Sequence, residues 1–291
     1  VADCDCETRL RRLEEASQPV QLPSGKTLRV VGDETIRGLV DPDQIGPAGK
    51  RDVELAALGA GLCPRRYLRN VGTLGLDGQA RLLSARVGVA GLGGLGGFVA
   101  EILARAGVGE LVLVDPDQAG EDNLNRQLLV TEENLGWDKI EAARDRLERV
   151  NSAVSLTVHR LAGDAAIFTQ LFGGAKVIVD ALDSLPARFD LWEAARNLGV
   201  PMVHGAIGGL SGQVTTIFPG GPGLEAIYGP RDAVRQRGVE ELVGNPSATP
   251  AMIAALQAQE VIKIVAGIGE PLRGKLLILD TMTPYASIIE L

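Results

Sequence analysis

Val87-Gly88-Val89-Ala90-Gly91-Leu92-Gly93-Gly94-Leu95-Gly96 is the stretch that decides the fold. A short apolar run enters a glycine-rich loop, and a helical pattern follows over about 95–106. Gly91, Gly93, Gly94 and Gly96 permit a tight turn and let phosphate oxygens approach backbone N–H groups at a helix N-terminus. The next apolar run, Glu110-Leu111-Val112-Leu113-Val114, ends at Asp115, nineteen residues past Gly96, where a ribose-binding carboxylate belongs. Strand, loop, helix, strand and acid in that order predict a nucleotide-binding Rossmann unit. Incidental turn glycines would leave the position of Asp115 to chance.

Downstream, the spacing predicts a helix from about 138 to 150, a strand near 154–158 and a short helix near 165–172. A strand over 176–179, a helix over 187–198 and a strand at 201–203 follow. Continuous β-branched runs separated by helices imply parallel strands covered on both faces. From about 213 the texture changes: Gln213 to Phe218 alternates, Pro219 to Pro222 is turn-like, a long helix covers about 249–266, and strands lie near 275–280 and 284–290. The expectation is an α/β, Rossmann-like fold whose mostly parallel sheet continues into an antiparallel C-terminal half.

Upstream, residues 7–16 read as a charged helix, and Val20-Gln21-Leu22 with Thr27 to Val31 as a hairpin around Pro23-Ser24-Gly25. Asp41 to Gly49 reads as a turn-rich linker, and 51–59 as a short helix. This divides the chain into a small N-terminal extension, 1–63, and a nucleotide-binding domain, 64–291.

Composition narrows the chemistry. The 291 residues carry 29 Lys plus Arg against 37 Asp plus Glu, a formal charge of −8, which counts against a general nucleic-acid binder. No apolar run approaches the ~18 residues of a membrane-spanning helix. The charged start of the chain lacks a signal-peptide core, so a cytoplasmic location is expected. Three cysteines (Cys4, Cys6 and Cys63) and two histidines leave little material for a disulfide scaffold, a histidine-rich metal centre or a Ser-His-Asp triad. The chemistry must come from glycines, carboxylates, arginines and lysines.

Asn123-Leu124-Asn125-Arg126-Gln127 follows the second strand, and Gly136-Trp137-Asp138-Lys139 opens the next helix. Arg126 and Lys139 bring two cations towards the loop, useful for a triphosphate and redundant for a nicotinamide end. The strand over 176–179 runs into Asp180-Ala181-Leu182-Asp183-Ser184, with Arg188 beyond. Ligands collect at the carboxyl ends of such strands, so Asp183 is placed to hold Mg²⁺. Asp183 or Ser184 as a helix N-cap is the plainer alternative, and Asp180 reads as structural.

These residues in this order resemble the ThiF/MoeB/HesA family, bacterial relatives of the ubiquitin-activating enzymes. The resemblance runs from Arg66-Tyr67-Leu68-Arg69 and Gly78-Gln79 through the glycine loop, Asn123 to Gln127, Lys139 and Asp180 to Asp183. It ends in Ala255 to Lys263 and Gly274-Lys275-Leu276-Leu277. It implies adenylation, with ATP and Mg²⁺, of the C-terminal glycine of a ubiquitin-like sulfur-carrier protein. Carried over by motif, Asp115 resembles the ribose ligand, Asn123, Arg126 and Lys139 the phosphate ligands, and Asp183 the metal-associated aspartate. Arg69 resembles an arginine supplied across a homodimer.

The chain also departs from the family pattern. Many relatives hold a structural zinc in two CxxC pairs, but no cysteine lies beyond Cys63, so no structural zinc is expected. The crossover stretch, about 219–248, also lacks the cysteine some relatives use for sulfur transfer, which implies a reaction ending at the acyl-adenylate. Ser184 stands where many members have asparagine. The tRNA threonylcarbamoyladenosine dehydratases share that substitution and supply the runner-up substrate. An NAD-dependent oxidoreductase explains the loop and Asp115 but leaves Arg126, Lys139 and Asp183 without a role; a catalytically silent scaffold is the third reading.

Other residues have plainer expectations. Cys63 is expected to be a buried thiol, Cys4 and Cys6 incidental thiols, and Trp137 and Trp192 packing residues at helix starts. His159 is expected at a surface or edge. His204, at a strand end, is weighed as a substrate contact. Arg231, Arg235 and Arg237 form a basic cluster, by default a solvated face and alternatively a dock for an acidic carrier.

Overall fold

The computed structural model describes residues 2–44, 46–233 and 240–291. The extension begins with α1 (Ala2–Ala16), the antiparallel pair β1 (Gln18–Gln21) and β2 (Thr27–Val31), and α2 (Asp33–Gly38). After α3 (Pro47–Gly59), β3 (Leu62–Pro64) returns parallel to β2, closing a three-stranded sheet. The expected linker is shorter than its turn residues implied. Its second half, from Pro47, is the first turn of α3, where a proline lacking N–H costs nothing.

The second region opens with α4 (Val71–Leu83), β4 (Arg86–Ala90), α5 (Gly96–Ala106) and β5 (Glu110–Val114). Next come α6 (Lys139–Val150), β6 (Ser155–His159), α7 (Ala165–Leu171), β7 (Val177–Asp180), α8 (Leu185–Leu198), β8 (Met202–Gly208) and β9 (Ser211–Ile217). Two short helices, α9 (Glu225–Tyr228) and α10 (Glu240–Val243), precede the long α11 (Ala248–Ala266), and β10 (Lys275–Asp280) with β11 (Tyr285–Glu290) end the chain. The eight strands lie in the order β11-β10-β9-β8-β7-β4-β5-β6. The five from β8 to β6 pair in parallel, and β8 to β11 pair antiparallel, as the change of pattern near 213 implied.

Burial explains the strand sequences. β4, β5 and β7 are closed on both faces, so they read as continuous apolar runs rather than alternations. One face packs Val87, Val89, Leu111 and Val179 against Val99, Leu103 and Val261; the other packs Val112 and Ile178 against Phe168, Phe172 and Phe189. β8 runs well beyond the expected 201–203, because Gly205 and Gly208 disguise its second half.

The extension has its own apolar cluster, Leu13, Val31, Ile36, Val53, Ala57 and Leu62, and hydrogen bonds from Lys50 and Arg51 tie it to the rest of the chain. Lys50 reaches Asp33 at 2.6 Å and Ser152 at 2.9 Å, and Arg51 donates to the Gly109 carbonyl at 2.6 Å. Glu54 is fully buried; burial pushes its carboxyl up against the pull of Arg66, and it accepts the Tyr67 hydroxyl at 2.9 Å. Burial alone would also raise Asp33, but hydrogen bonds from Lys50 and Arg37 hold it down to about 2. A depressed carboxyl stabilises the fold above the unfolded pKa of about 3.9 and loses that effect as pH falls through the folded value. Asp33→Asn is therefore expected to cost about 1 kcal/mol at neutral pH, solvent screening keeping it small. In urea titrations the deficit should vanish as pH falls towards the folded pKa of about 2; a constant deficit would contradict the assignment.

Candidate active site

The strands wind in one direction from β4 through β5 to β6, and in the other from β7 to β8. Neighbouring β4 and β7 therefore form the switch point, and their carboxyl ends leave a crevice. A cavity of about 640 Å³ fills it, lined by the glycine loop, Asp115, Asn123, Arg126, Lys139 and the turn from Ala181 to Ser184. Nearly all the residues singled out in the sequence meet there.

The loop's glycines divide into two kinds. A Cβ on Gly91, at φ +89°, would lie 2.5 Å from the Ala181 carbonyl, and one on Gly96 would lie 1.8 Å from the Gly91 carbonyl. Those two let the backbone close on itself. A Cβ on Gly93 would meet nothing nearer than Gln127 Nε2 at 3.8 Å, so the space above it belongs to the cavity. That space suits a phosphate chain lying against the N-terminus of α5. Gly94 packs under Pro250 and also lines the cavity.

Asp115 holds the loop in shape. Its Oδ2 accepts the Leu92 N–H at 2.6 Å and its Oδ1 the Asp117 N–H at 2.8 Å. Burial raises its carboxyl, opposed by the charge of Lys139. Asn123 is buried and accepts the Gly120 N–H at 3.2 Å. Lys139, also buried, pairs with Asp117 at 2.9 Å. Arg126 donates to the Asp122 carbonyl at 2.7 Å and to Asn125 Oδ1 at 2.9 Å; both acceptors are neutral, and among the described residues no carboxylate pairs with it at the cavity wall.

Asp183 stands exposed at the opposite lip. Ser184 occupies the N-cap position of α8 without a side-chain capping bond. Among the described residues no group of three or more His, Cys, Asp and Glu side chains is placed to hold a metal. One carboxylate facing a phosphate-sized space still suits Mg²⁺, which keeps several waters and takes phosphate oxygens as further ligands. Arg69 is exposed and lies outside the cavity of its own chain.

Sequence reasoning missed several lining residues. Gln127 and Asn245 each bury a side-chain oxygen that has no partner among the described residues, and both line the cavity. Asp117 holds Lys139, and Arg188 lies beneath the Asp183 turn. Gln127 stood in the run from Asn123 and Arg188 just beyond Asp183, though neither was given a role; nothing in the sequence marked Asp117 or Asn245.

Other expectations need correction. His204 is fully buried within β8 rather than at a strand end, and it bonds Asp180 at 2.7 Å and Tyr228 at 2.9 Å, so it is no substrate contact. Trp137 is 47% exposed rather than packed, and Trp192 lies inside α8, edge-on to Phe189. Arg231 is neutralised by Asp190 at 2.6 Å and Glu193 at 3.1 Å; Arg235 and Arg237 lie outside the described residues, as do the side chains of Cys4 and Cys6. Cys63, by contrast, is buried as expected, and burial pushes its thiol up to about 11.

A second cavity, of about 240 Å³, adjoins the first and shares Asp183, Arg188 and Ile207 with it. Ser211, Gln213, Tyr228 and Ile278 wall it.

A glycine loop at a switch point, with cations on one wall and a carboxylate on the other, defines a nucleotide site in a doubly wound α/β protein. Residues 67–291 match the model of the ThiF family, and the chain belongs to that family. It is 37% identical over 221 residues to the SAMP-activating enzyme E1 of Haloferax volcanii, covering 75% of this chain and 81% of that protein. It is 35% identical over 227 residues to the molybdopterin-synthase adenylyltransferase of Salmonella typhimurium, covering 75% and 88%. The E. coli MccB crystal structure matches with a TM-score of 0.65 at 25% identity, over 77% of this chain and 69% of that one.

Proposed function

We propose that this nucleotidyltransferase adenylates the C-terminal glycine carboxylate of a ubiquitin-like sulfur-carrier protein of the ThiS/MoaD type, releasing pyrophosphate. It uses ATP with Mg²⁺ and works as a cytoplasmic homodimer. Residues 64–291 are its adenylation domain and 1–63 its extension. The observation that carries the reading is the convergence of Arg126 and Lys139 with the glycine loop, facing Asp183 across one cavity. The relatives named as an adenylyltransferase and as an activating enzyme support it.

The chemistry asks little of the protein beyond position and charge. The attacking carboxylate is already ionised, so no general base is needed, which suits a site without a reachable histidine. Charge grows on phosphoryl oxygens, and Arg126 and Lys139 are fixed where they stabilise it. Each Asp115 oxygen accepts one N–H and keeps a lone pair for a ribose hydroxyl. Asn123 assists at the phosphates. Asp183 would hold the metal, which supplies further neutralisation of phosphate charge. The tail arrives through the smaller cavity, which opens beside Asp183.

ATP–pyrophosphate exchange with carriers ending in Gly-Gly tests the reading. Exchange that needs both Mg²⁺ and a carrier is expected. Tight NADH binding without exchange for any carrier would overturn it.

Arg69 supplies its charge to the other protomer's cavity. Arg69→Glu and Asp183→Ala are each expected to be inactive alone. Mixing them restores activity, because one of the two sites in a mixed dimer is intact. No recovery in verified mixed dimers would remove Arg69 from the site.

A further inference from the structure

A hydrogen-bonded chain of side chains, fully buried at Asp180 and His204 and half-buried at Tyr228 and Gln213, joins the Asp183 turn to the smaller cavity. Asp180 is fully buried at the end of β7. Its Oδ1 accepts the Leu182 N–H at 3.1 Å, and its Oδ2 accepts His204 Nδ1–H at 2.7 Å. Burial alone would raise Asp180, but the Arg188 charge and the His204 hydrogen bond hold it low. Burial lowers His204 in turn, against the pull of Asp180, so the ring is neutral. With Nδ1 as donor, Nε2 must accept, and its partner is the Tyr228 hydroxyl at 2.9 Å. The same hydroxyl accepts Gln213 Nε2–H at 2.9 Å.

The Tyr228 ring stands edge-on to His204, 5.6 Å away between centroids, and its body walls the 240 Å³ cavity together with Gln213, Ile278 and Ser211. Arg188 locks the other end, donating to the Leu182 carbonyl at 2.5 Å and the Gly205 carbonyl at 3.1 Å. A phenol on a solvated loop would swing aside for a bulky ligand. Here a swing breaks the bonds to His204 and Gln213 and leaves Nε2 of the fully buried His204 unpaired, which holds the ring in place.

We propose that Tyr228, fixed by His204 and Asp180, is the specificity-determining wall of the tail subsite and restricts the activated chain end to residues without side chains. The proposal rests on the functional reading above, in which the tail occupies the smaller cavity. A fixed wall can discriminate by size, whereas a mobile wall would merely adjust.

The test compares ATP–pyrophosphate exchange for two versions of one carrier, ending in Gly-Gly and in Gly-Leu, with wild type, Tyr228→Ala and Tyr228→Phe. ATP affinity without carrier is measured alongside. Wild type should use only the Gly-Gly form. Tyr228→Ala should raise the Gly-Leu to Gly-Gly ratio of kcat/KM by about 10–100-fold, the scale of discrimination by a few methylenes. Tyr228→Phe keeps the ring but frees it, so it should raise the Gly-Gly KM several-fold at unchanged ATP affinity. An unchanged ratio in folded Tyr228→Ala overturns the proposal. If that variant does not fold, a Tyr228→Phe protein with wild-type KM overturns it. Absence of wild-type exchange with any carrier would instead overturn the functional reading.

Discussion

Replacing Arg126 by alanine is expected to lower carrier-dependent ATP–pyrophosphate exchange by about 10²–10³-fold, the scale of losing one preorganised charge-stabilising donor. The two cations of the site are not equivalent. Lys139 is buried but shares its charge with Asp117, 2.9 Å away. Among the described residues Arg126 is held by the Asp122 carbonyl and Asn125 Oδ1, which orient the guanidinium without neutralising it. Its full charge therefore faces the cavity, and its fork matches phosphate oxygens two at a time. The loss should appear mainly in kcat, with ATP affinity changed far less, because negative charge grows on the phosphoryl group during the reaction. Arg126→Lys should recover only part of the rate. Exchange within about threefold of wild type in Arg126→Ala would remove this residue from the site, since that factor is under 1 kcal/mol.

The second large effect is on stability. Asp180→Ala is expected to cost about 3–5 kcal/mol in urea unfolding, the usual penalty for breaking a buried charged pair from one side. The carboxylate serves the Leu182 N–H and His204 directly and lies 3.9 Å from the Arg188 guanidinium, all away from water. Without it, the low-dielectric setting that strengthened these bonds penalises what remains. Asp180→Asn should cost less, since an amide oxygen still accepts from His204 while the charge opposite Arg188 is lost. A loss under about 1 kcal/mol for Asp180→Ala would show that water or a rearranged neighbour replaces the carboxylate.

Much of the central fold was legible because its signals are local. A fully buried parallel strand reads as an apolar run, a phosphate loop needs glycines at fixed offsets, and Asp115 follows from the length of one helix and one strand. Arg126, Lys139 and Asp183 were legible for the same reason, each just past a strand or at a helix start. What stayed hidden depends on long-range register. Asp180, His204 and Gln213 share a chain of contacts only because β7 pairs with β8 in parallel and β8 turns back into β9. No periodicity reveals that pairing, and Gly205 and Gly208 hid the second half of β8, so His204 looked like a strand-end residue. The lattice pinning the extension is equally non-local: Lys50 meets Ser152, 102 positions away. Pro47 misled in another way. A proline marks a turn and a helix start equally well, and only the apolar face of α3 decides between them.

The proposed reaction requires a triphosphate along the glycine loop, between Arg126 and Lys139 on one wall and Asp183 on the other. A crystal structure with a non-hydrolysable ATP analogue and Mg²⁺ tests it most directly. Ribose hydroxyls are expected at Asp115, phosphate oxygens within hydrogen-bond reach of Arg126 and Lys139, and the α-phosphorus open towards the cavity walled by Tyr228. A nucleotide lying elsewhere, or one whose phosphates leave Arg126, Lys139 and Asp183 turned to solvent, would contradict it.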